Sequence, residues 1–509
     1  MMIGYVRKTM QVPKVRVRLW LVSGLMILAA GPSVFAARPT PPSQRIDLGA
    51  LGYEPVQAGY LLAGGTMFTV NFVDESHLLV TWSARGLLKR LTEDPPNDED
   101  RNVDAVLLEL PSGKVLARTR WRLHDHGAYL WPIGGGQFLV RVQRELTLIA
   151  PLRDLGTADP FQGQNVIHTV RPIGFVFVSP DDKVLTIETF APPDPGLKAG
   201  DQILRSQVNA VQINFFRIAN GPGGKLALVA AGVFKADDPI RLPLTGGGYL
   251  ATIKDKASSY LFDFVPFTGT RLELAGFDSS CSPASHFVSA TDFVSFGCRG
   301  SVDRQEMGFF NLRGEVPWIS NFSNQHINPS IVSAPEAGRF ALGRTIVNST
   351  PMDLDSLTGA EVVGQEITVY QGYDGRQLLK LMATPVQRAG GNFDLSPDGS
   401  KLAMFHDGAL EIYGLPELTG KDRAELAASR KLAPADSMEA IRLRKDTPEA
   451  ATAEDAGAAA AAPAAFTAKP AATIANGDPQ PGEQAGEHRK PPSLYGPDYP
   501  NPNAGKTPK

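Results

Sequence analysis

The sequence predicts an all-β fold, and within that class a single β-propeller of seven blades. Of the 509 residues, 50 are Gly and 41 are Pro, a content that favours short strands joined by tight turns over long helices. Apolar and polar residues alternate in stretches such as "DAVLLELPSG" and "EITVYQGYDG", which is the period of a strand with two differently used faces. Two kinds of turn also recur in alternation along the body of the chain.

Residues 1–36 are predicted to be a signal peptide. A basic region precedes an apolar run from Leu19 to Ala30, and Val34-Phe35-Ala36 offers small residues where a signal peptidase cuts. The alternative is an uncleaved membrane anchor. The run is shorter than the ~20 residues that span a bilayer, which favours the cleaved signal peptide. Cleavage after Ala36 removes five basic and no acidic residues and lowers the formal charge from -3 to -8. A periplasmic or secreted protein with no stable membrane span after cleavage is expected.

Residues 37–55 are predicted to be an N-terminal segment that closes the propeller. The last repeat, which ends in "KLAMFHDGALEIYG", is one strand short, whereas "QRIDLGALGYEP" from Gln44 to Pro55 has no partner of its own. Pairing of this segment near Leu410 to Tyr413 would complete the ring and remove exposed strand edges.

Residues 56–418 are the predicted propeller, in which two series of turns interleave. Each turn is followed or preceded by an apolar strand and carries residues that adopt turn conformations readily. The first series is Val73–His77, Gly134–Gln137, Ser179–Lys183, Gly246–Tyr249, Ala290–Phe293, Pro335–Arg339 and Ser396–Lys401, and the second falls at Pro111, Leu152, Gly221, Thr268, Arg313, Asp374 and Tyr413. Seven alternating pairs at a spacing near 40 to 50 residues are typical of propeller blades. A β-sandwich is the alternative, but it does not require one repeated unit.

Two of these turns carry a family resemblance. "LSPDGSKLAMF" and "VSPDDKVLTIET" resemble the Ser-Pro-Asp-Gly hairpin of WD40-like propellers, including the periplasmic propeller of the Tol system. The resemblance implies a propeller fold and little about activity, because propellers serve both as binding scaffolds and as enzymes. The Trp-Asp that ends a true WD40 repeat is absent from these repeats.

The two cysteines, Cys281 and Cys298, are predicted to form a disulfide. Their midpoint falls beside the turn at Ala290 to Asp292, so they should face each other on adjacent antiparallel strands, within disulfide reach. An exported protein meets an oxidising compartment, which favours the bridge over two small buried residues.

The candidate ligand-binding residues are His124, Asp125, His126 and His326. In "WRLHDHG" the two histidines share one face of an extended segment, where they would suit a shared metal or a hydrogen-bonded loop that enters the second blade. No further metal ligand can be assigned from the spacing. His168, His286 and His326 also precede the first strand of a blade, which suits either hydrogen bonding between blades or a lining of the channel face where one blade links to the next.

An acidic stretch, "LTEDPPNDEDRNVD", lies between the first hairpin and the next strand and ends at Asp104. Calcium could use its carboxylates, but the spacing matches no EF-hand loop and favours a solvated insertion at the rim.

The motifs that would identify an enzyme are mostly missing from the sequence. It contains no Gly-x-Ser-x-Gly elbow and no His-Glu-x-x-His pair, and no cofactor and no catalytic or metal-binding residues are predicted. The net charge argues against nucleic acid as a partner. The sequence therefore favours a non-catalytic binding or scaffold module for a protein, peptide or glycan of the cell envelope or the extracellular space. The alternative is an extracytoplasmic, metal-dependent propeller hydrolase of the lactonase or lyase type.

The C-terminal part is predicted to lie outside the propeller. Residues 419–446 contain helix formers interrupted by Pro434 and are expected to be short helices or irregular. Residues 447–509 are rich in Ala, Pro and Gly and are expected to be disordered, because such a composition buries little apolar surface.

Overall fold

A computed structural model describes most of the chain between residues 40 and 432. The described residues are 40–54, 60–61, 68–83, 101–123, 128–142, 145–157, 165–169, 173–190, 210–221, 226–236, 239–299, 301–322, 326–348, 361–387, 391–432 and 472–474. The chain divides at Pro41 into two units, and the larger one, Pro42–Lys509, holds the sheets.

This larger unit is an all-β, seven-bladed propeller, as the turn spacing predicts. Each blade is an antiparallel meander in which consecutive strands are neighbours, and the described strands of seven sheets follow one another along the chain. A meander of this kind buries both faces only against its neighbours in a ring.

The strands of blades 1 to 4 follow each other closely in sequence. Blade 1 is β3 (Phe68–Asp74), β4 (His77–Ser83), β5 (Arg101–Glu109) and β6 (Val115–Leu123); blade 2 is β7 (Leu130–Pro132), β8 (Phe138–Val142), β9 (Glu145–Ile149) and β10 (Asn165–Thr169); blade 3 is β11 (Ile173–Val178), β12 (Val184–Phe190), β13 (Val211–Asn220) and β14 (Leu226–Ala236); blade 4 is β15 (Leu244–Thr245), β16 (Gly248–Lys256), β17 (Ser259–Pro266) and β18 (Leu272–Asp278).

Blades 5 to 7 repeat the arrangement, with one strand taken from the N-terminal segment. Blade 5 is β19 (Ala284–Phe287), β20 (Asp292–Arg299), β21 (Ser301–Asn311) and β22 (Trp318–Phe322); blade 6 is β23 (His326–Ala334), β24 (Arg339–Val347), β25 (Val362–Gln371) and β26 (Arg376–Ala383); blade 7 is β28 (Phe393–Leu395), β29 (Lys401–His406), β30 (Ala409–Gly414) and β1 (Gln44–Asp47).

The ring closes where the sequence predicts. Strand β1 pairs antiparallel with β30, with Gln44 opposite Ile412 and Asp47 opposite Ala409, and it becomes the outer strand of blade 7. A short parallel pair, β2 (Tyr60–Leu61) with β27 (Val386–Gln387), adds a second tie, between the link that precedes blade 1 and the link that precedes blade 7.

Seven apolar clusters fill the spaces between neighbouring blades. The cluster between blades 4 and 5 is built on Phe262, Phe293 and Phe310, whose ring centroids lie 5.1 to 5.3 Å apart. The cluster between blades 7 and 1 contains Leu48 and Tyr53, which follow β1 and are buried. Burial between blades, rather than within one blade, is what the radial repeat requires.

The Ser-Pro-Asp-Gly turn owes its shape to its own side chains. The Ser396 hydroxyl donates to Asp398 (2.6 Å) and accepts from the backbone N–H of Lys401 (2.9 Å). Gly399 has a φ of 66°, a left-handed conformation that glycine adopts at little cost. In the related turn at Ser179, Asp182 takes the glycine's place with a φ of 53°.

The structure corrects three details of the sequence-based picture. The turn expected at Leu152 is a short helix, α1 (Pro151–Asp154). His286 lies on β19, the first strand of blade 5, and His326 opens β23, so neither precedes the first strand of its blade, whereas His168, on β10, does precede the first strand of blade 3. Asp104 belongs to β5 rather than to the acidic insertion and is buried beside Arg120, 3.1 Å away.

The predicted disulfide is present. Cys281 and Cys298 are bonded, with their Cα atoms 5.4 Å apart. Cys298 lies on β20, as expected, whereas Cys281 lies in the bend that precedes β19 and not on a strand. No helix within the described ranges is long and apolar enough to cross a membrane.

After blade 7 the chain forms one helix, α2 (Gly420–Arg430). Thr419 and Asp422 begin it with reciprocal side-chain-to-backbone bonds, which satisfy N–H groups that a helix leaves open. Residues 447–509, the C-terminal tail, were expected to be disordered. Within them, Ala472–Ile474 forms a strand, β31, that pairs in parallel with β10. The remainder of that tail and the predicted signal peptide lie outside the described residues.

Candidate functional site

The propeller axis is lined by the first strand of each blade, and its two ends differ in construction. We call the end at which the chain passes from one blade to the next the loop end. The opposite end, where the first and second strands of each blade turn, is the hairpin end. The sequence predicts that ligands bind at the loop end, because loops on a rigid scaffold usually carry specificity.

Four residues from three blades form a cluster towards the loop end, and two of them are charged. Phe175, near the start of β11, lies directly opposite Glu188 on β12. Arg241 precedes β15, and its guanidinium carbon lies 4.2 Å from the centre of the Phe175 ring. His286 lies on β19, the first strand of blade 5. We call Phe175, Glu188, Arg241 and His286 the loop-end cluster.

Arg241 is the most unusual member of this cluster. Its φ is 44°, a left-handed conformation that costs a non-glycine residue of order 1 kcal/mol and is often found at functional sites. The residue is exposed, and within the described residues its guanidinium makes no hydrogen bond or ion pair. A planar cation over an aromatic ring, whose N–H groups no described residue uses, is suited to an oxyanion.

Glu188 supplies a buried negative charge beside this cation. Its exposed fraction is 4%, and its Oε2 atom has no hydrogen-bond partner in the described part of the chain. Burial raises the pKa of the Glu188 carboxyl, and the backbone N–H groups of Ile240 and Arg241 oppose that shift. Although the Arg241 side chain reaches solvent, nearby protein atoms remove part of its hydration and lower its pKa, and the Glu188 charge opposes that shift. The charges of Glu188 and Arg241 therefore interact electrostatically, although the two side chains do not form a close ion pair.

His286 is held in its neutral form. Burial, followed by the charge of Arg241, lowers the pKa of the imidazole to about 4. The residue is still half-buried rather than enclosed, as expected of a side chain on the strand that lines the channel. At neutral pH it offers one donor and one acceptor, so Arg241 is the charged donor of the cluster.

A second titratable group on the channel wall is Asp394 of β28. Its carboxylate accepts from the backbone N–H of Phe72 in blade 1 (2.7 Å) and from that of Leu395 (2.9 Å). Burial raises the pKa of Asp394 to about 7 although both N–H groups act to lower it. Because one oxygen joins blade 7 to blade 1 and the other binds the backbone of β28 itself, the contacts of this residue are structural.

The hairpin end carries a groove of about 510 Å³ between blades 5 and 6 and helix α2. Contacts hold the helix in place beside it: Asp422 accepts from the Tyr373 hydroxyl and from Arg376, both at 2.9 Å, and Ser429 donates to Asp292 at 3.0 Å. The sequence did not predict this groove. Several of the charged groups on its wall are already paired within the protein.

The sequence-predicted ligand-binding residues are only partly placed. His124, Asp125 and His126 fall in the link between blades 1 and 2, outside the described residues, and so does the acidic stretch from Glu93 to Asp100. His326 opens β23, and its side chain lies outside what is described. Sequence reasoning missed Arg241 and Glu188, because they come together only through the packing of blade 3 on the link to blade 4.

Among the described residues, no group of three or more His, Cys, Asp or Glu side chains is placed to hold a metal ion.

No family model and no curated protein matches the chain. Solved structures similar to it include an acylaminoacyl peptidase of Pyrococcus horikoshii, at 11% identity over 71% of this chain and 55% of that one, with a TM-score of 0.39. A putative TolB of Agrobacterium tumefaciens matches at 11% identity over 63% of this chain and 100% of that one, with a TM-score of 0.31. The chain thus spans about half the length of the peptidase. At these scores neither likeness carries an argument about function, and the propeller assignment rests on the seven sheets.

Proposed function

We propose that the protein is an exported, non-catalytic propeller that binds a protein, peptide or glycan of the cell envelope at the loop end of its channel. Arg241 carries this proposal, since an exposed guanidinium that no described residue pairs with, held in a strained backbone conformation over an aromatic ring, is arranged for contact with another molecule. The disulfide supports export, because such bonds persist in oxidising compartments.

The second candidate is an extracytoplasmic, metal-dependent hydrolase. Asp394 favours it, because a channel carboxyl with a pKa of about 7 suits general acid–base work. Its two oxygens are already used by backbone N–H groups, which makes binding the better-supported function.

The test is capture by the mature chain, residues 37–509, from a detergent extract of the cell envelope. We expect one component to be retained, at a fixed ratio to the propeller, and to be released chemically unchanged. Replacement of both His124 and His126 by Ala should weaken its retention, and Arg313→Gln at the hairpin end should not. The purified protein should contain no stoichiometric metal.

Two results would contradict the proposal. Release of the component in cleaved form, or about one metal ion per chain, would establish the enzyme instead. If retention survives the histidine changes but fails when residues 93–100 are shortened, the binding site is on the rim and not at the loop end.

A further inference from the structure

We infer that the loop-end cluster recognises a single carboxylate group presented by a peptide, with Arg241 as the residue that binds it. This rests on the proposed binding function and adds the chemistry of the ligand. It follows from the geometry around Arg241, its apolar surroundings and the charges of its neighbours.

The geometry gives an oxyanion site with one strong donor. The guanidinium carbon of Arg241 lies over the Phe175 ring, 4.2 Å from its centre. A guanidinium in a cation–π contact can still donate through its N–H groups, and two of them match the spacing of carboxylate oxygens. No described residue uses these N–H groups, so the guanidinium is ready to bind without breaking an internal contact.

The charge balance of the cluster favours one negative charge over two. Glu188 is a buried carboxyl close enough to affect Arg241, and His286 is neutral. A second negative charge on the ligand would find no positive partner among these groups and would face Glu188. Phosphate is therefore a poor match, whereas a carboxylate is a good one.

The apolar surface beside the guanidinium favours a peptide over a sugar acid. Ile240, which precedes Arg241, is 38% exposed, and Phe175 is half-buried beneath the guanidinium. An apolar side chain next to the carboxylate would cover these groups and remove them from water, but the hydroxyl groups of a uronic acid would not.

The backbone conformation of Arg241 is strained, and Glu188 stabilises the link that carries it. Arg241 is strained at a φ of 44°, and a glycine there would relieve the strain. The backbone N–H groups of Ile240 and Arg241 face the buried carboxyl of Glu188 and favour its charged form. We therefore assign Glu188 two opposing effects: it supports the link that carries Arg241, and it limits how much negative charge the site accepts.

The experiment uses the purified mature chain and four probe sets, measured by affinity selection and mass spectrometry. The first is a set of N-acetylated tripeptides with a free C-terminal carboxylate, and the second is the same set as amides. The third is amidated tripeptides that contain Asp or Glu. Inorganic phosphate and glucuronate, tested as competitors, form the fourth.

We expect the carboxylate tripeptides to bind at least about tenfold better than their amides, in line with the strength of a bidentate ion pair. Preference for the third set over plain amides would place the carboxylate on a side chain instead of the chain end, and either source supports the inference. Arg241→Gln should abolish the preference, and Arg241→Lys should retain part of it because the charge remains without the fork.

Two further variants separate recognition from folding. Arg313→Gln is the matched control, because Arg313 is exposed at the hairpin end and paired with Glu315, and it should bind the probes like the unaltered protein. Glu188→Gln removes a neighbouring negative charge, so carboxylate binding should strengthen about threefold. Weaker binding by this variant in a folded protein would contradict the charge argument.

Equal binding of carboxylates and amides, or an unchanged preference in Arg241→Gln, would overturn the inference. Displacement of the peptides by phosphate or glucuronate at equal concentration would overturn the ligand class. Failure of the proposed function is a different result, namely hydrolysis of the tripeptides during the measurement.

Discussion

The two ends of the channel use their polar groups differently. At the hairpin end, side chains of one blade bind the backbone of the next: Asp181 accepts from the Gly246 N–H at 2.9 Å, and Lys401 donates to the Glu75 carbonyl at 2.6 Å. At the loop end, Arg241 makes no such bond within the described residues, and Glu188 has an unpartnered oxygen. One end therefore holds the ring together, and the other leaves charged groups available to a ligand.

The largest effect is expected from removal of the segment that closes the ring. A chain that begins at residue 55 loses β1 together with the buried side chains of Leu48 and Tyr53, whose ring lies 5.3 Å from that of Phe405. Loss of two large core residues and a strand should lower the melting temperature by on the order of 10 °C relative to a chain that begins at residue 37. Equal melting temperatures in calorimetry would show that β1 does not contribute to closure.

At the hairpin end, Arg339→Ala should be the most destabilising single change. Arg339 is 2% exposed and donates to the carbonyls of Gly399 (2.6 Å) and Pro416 (2.5 Å), which tie blade 6 to the segment around blade 7. Its removal leaves buried acceptors unpaired and should lower the free energy of unfolding by about 4 kcal/mol.

Urea unfolding measures this change, with Arg313→Ala as the control. Arg313 is exposed and pairs with exposed Glu315, so its loss should cost less than about 1 kcal/mol. Similar values for both variants would contradict the distinction between the two arginines.

Loss of the disulfide should have a slightly smaller effect than Arg339→Ala. Cys281 and Cys298 are 17 positions apart, and opening a loop of that size should cost about 3 kcal/mol. Replacement of both by Ser, followed by urea unfolding, measures it. Titration of the unaltered protein under denaturing, non-reducing conditions should find no free thiol, and two per chain would contradict the bridge.

Much of this fold can be predicted from the sequence because its signals are local. The Ser396 turn is shaped by its own side chains, and the cysteines lie on either side of one hairpin. The unpaired strand at Gln44 also follows from counting strands. Arg241 gives no such signal: it stands between Ile240 and Leu242, and its role depends on Phe175 and Glu188, more than 50 positions earlier. His286 was expected before the first strand of its blade and lies on that strand, because the sequence does not show where a short strand begins.

A smaller effect concerns Asp394 and pH. Its pKa is raised to about 7 in the folded state from the ordinary value near 4, so the folded protein holds this proton more tightly than the unfolded chain. Its contribution to stability is therefore complete below about pH 4 and is lost as the pH rises through about 7.

Asp394→Asn removes that titration. Between pH 5 and pH 8, the free energy of unfolding of the unaltered protein should fall relative to that of this variant. Urea unfolding at both pH values measures the difference. A difference that does not change with pH would contradict the raised pKa.

The smallest effect on stability is expected at the loop end. Arg241→Gly relieves the strain at a φ of 44° and removes no internal hydrogen bond within the described residues. Its free energy of unfolding should be unchanged or higher by less than about 1 kcal/mol, while carboxylate binding is lost. Destabilisation by several kcal/mol in urea unfolding would mean that Arg241 is a structural residue.

The difference between the two ends is tested most directly by residue-resolved modification with phenylglyoxal, a reagent that reacts with accessible guanidinium groups, followed by peptide mass spectrometry on the folded mature chain. Arg241 should be modified fastest of the three arginines compared, Arg313 more slowly because of its ion pair, and Arg339 only on unfolding. A carboxylate tripeptide should slow modification of Arg241 alone. Modification of Arg241 no faster than that of Arg339, in the presence or absence of the peptide, would contradict the account.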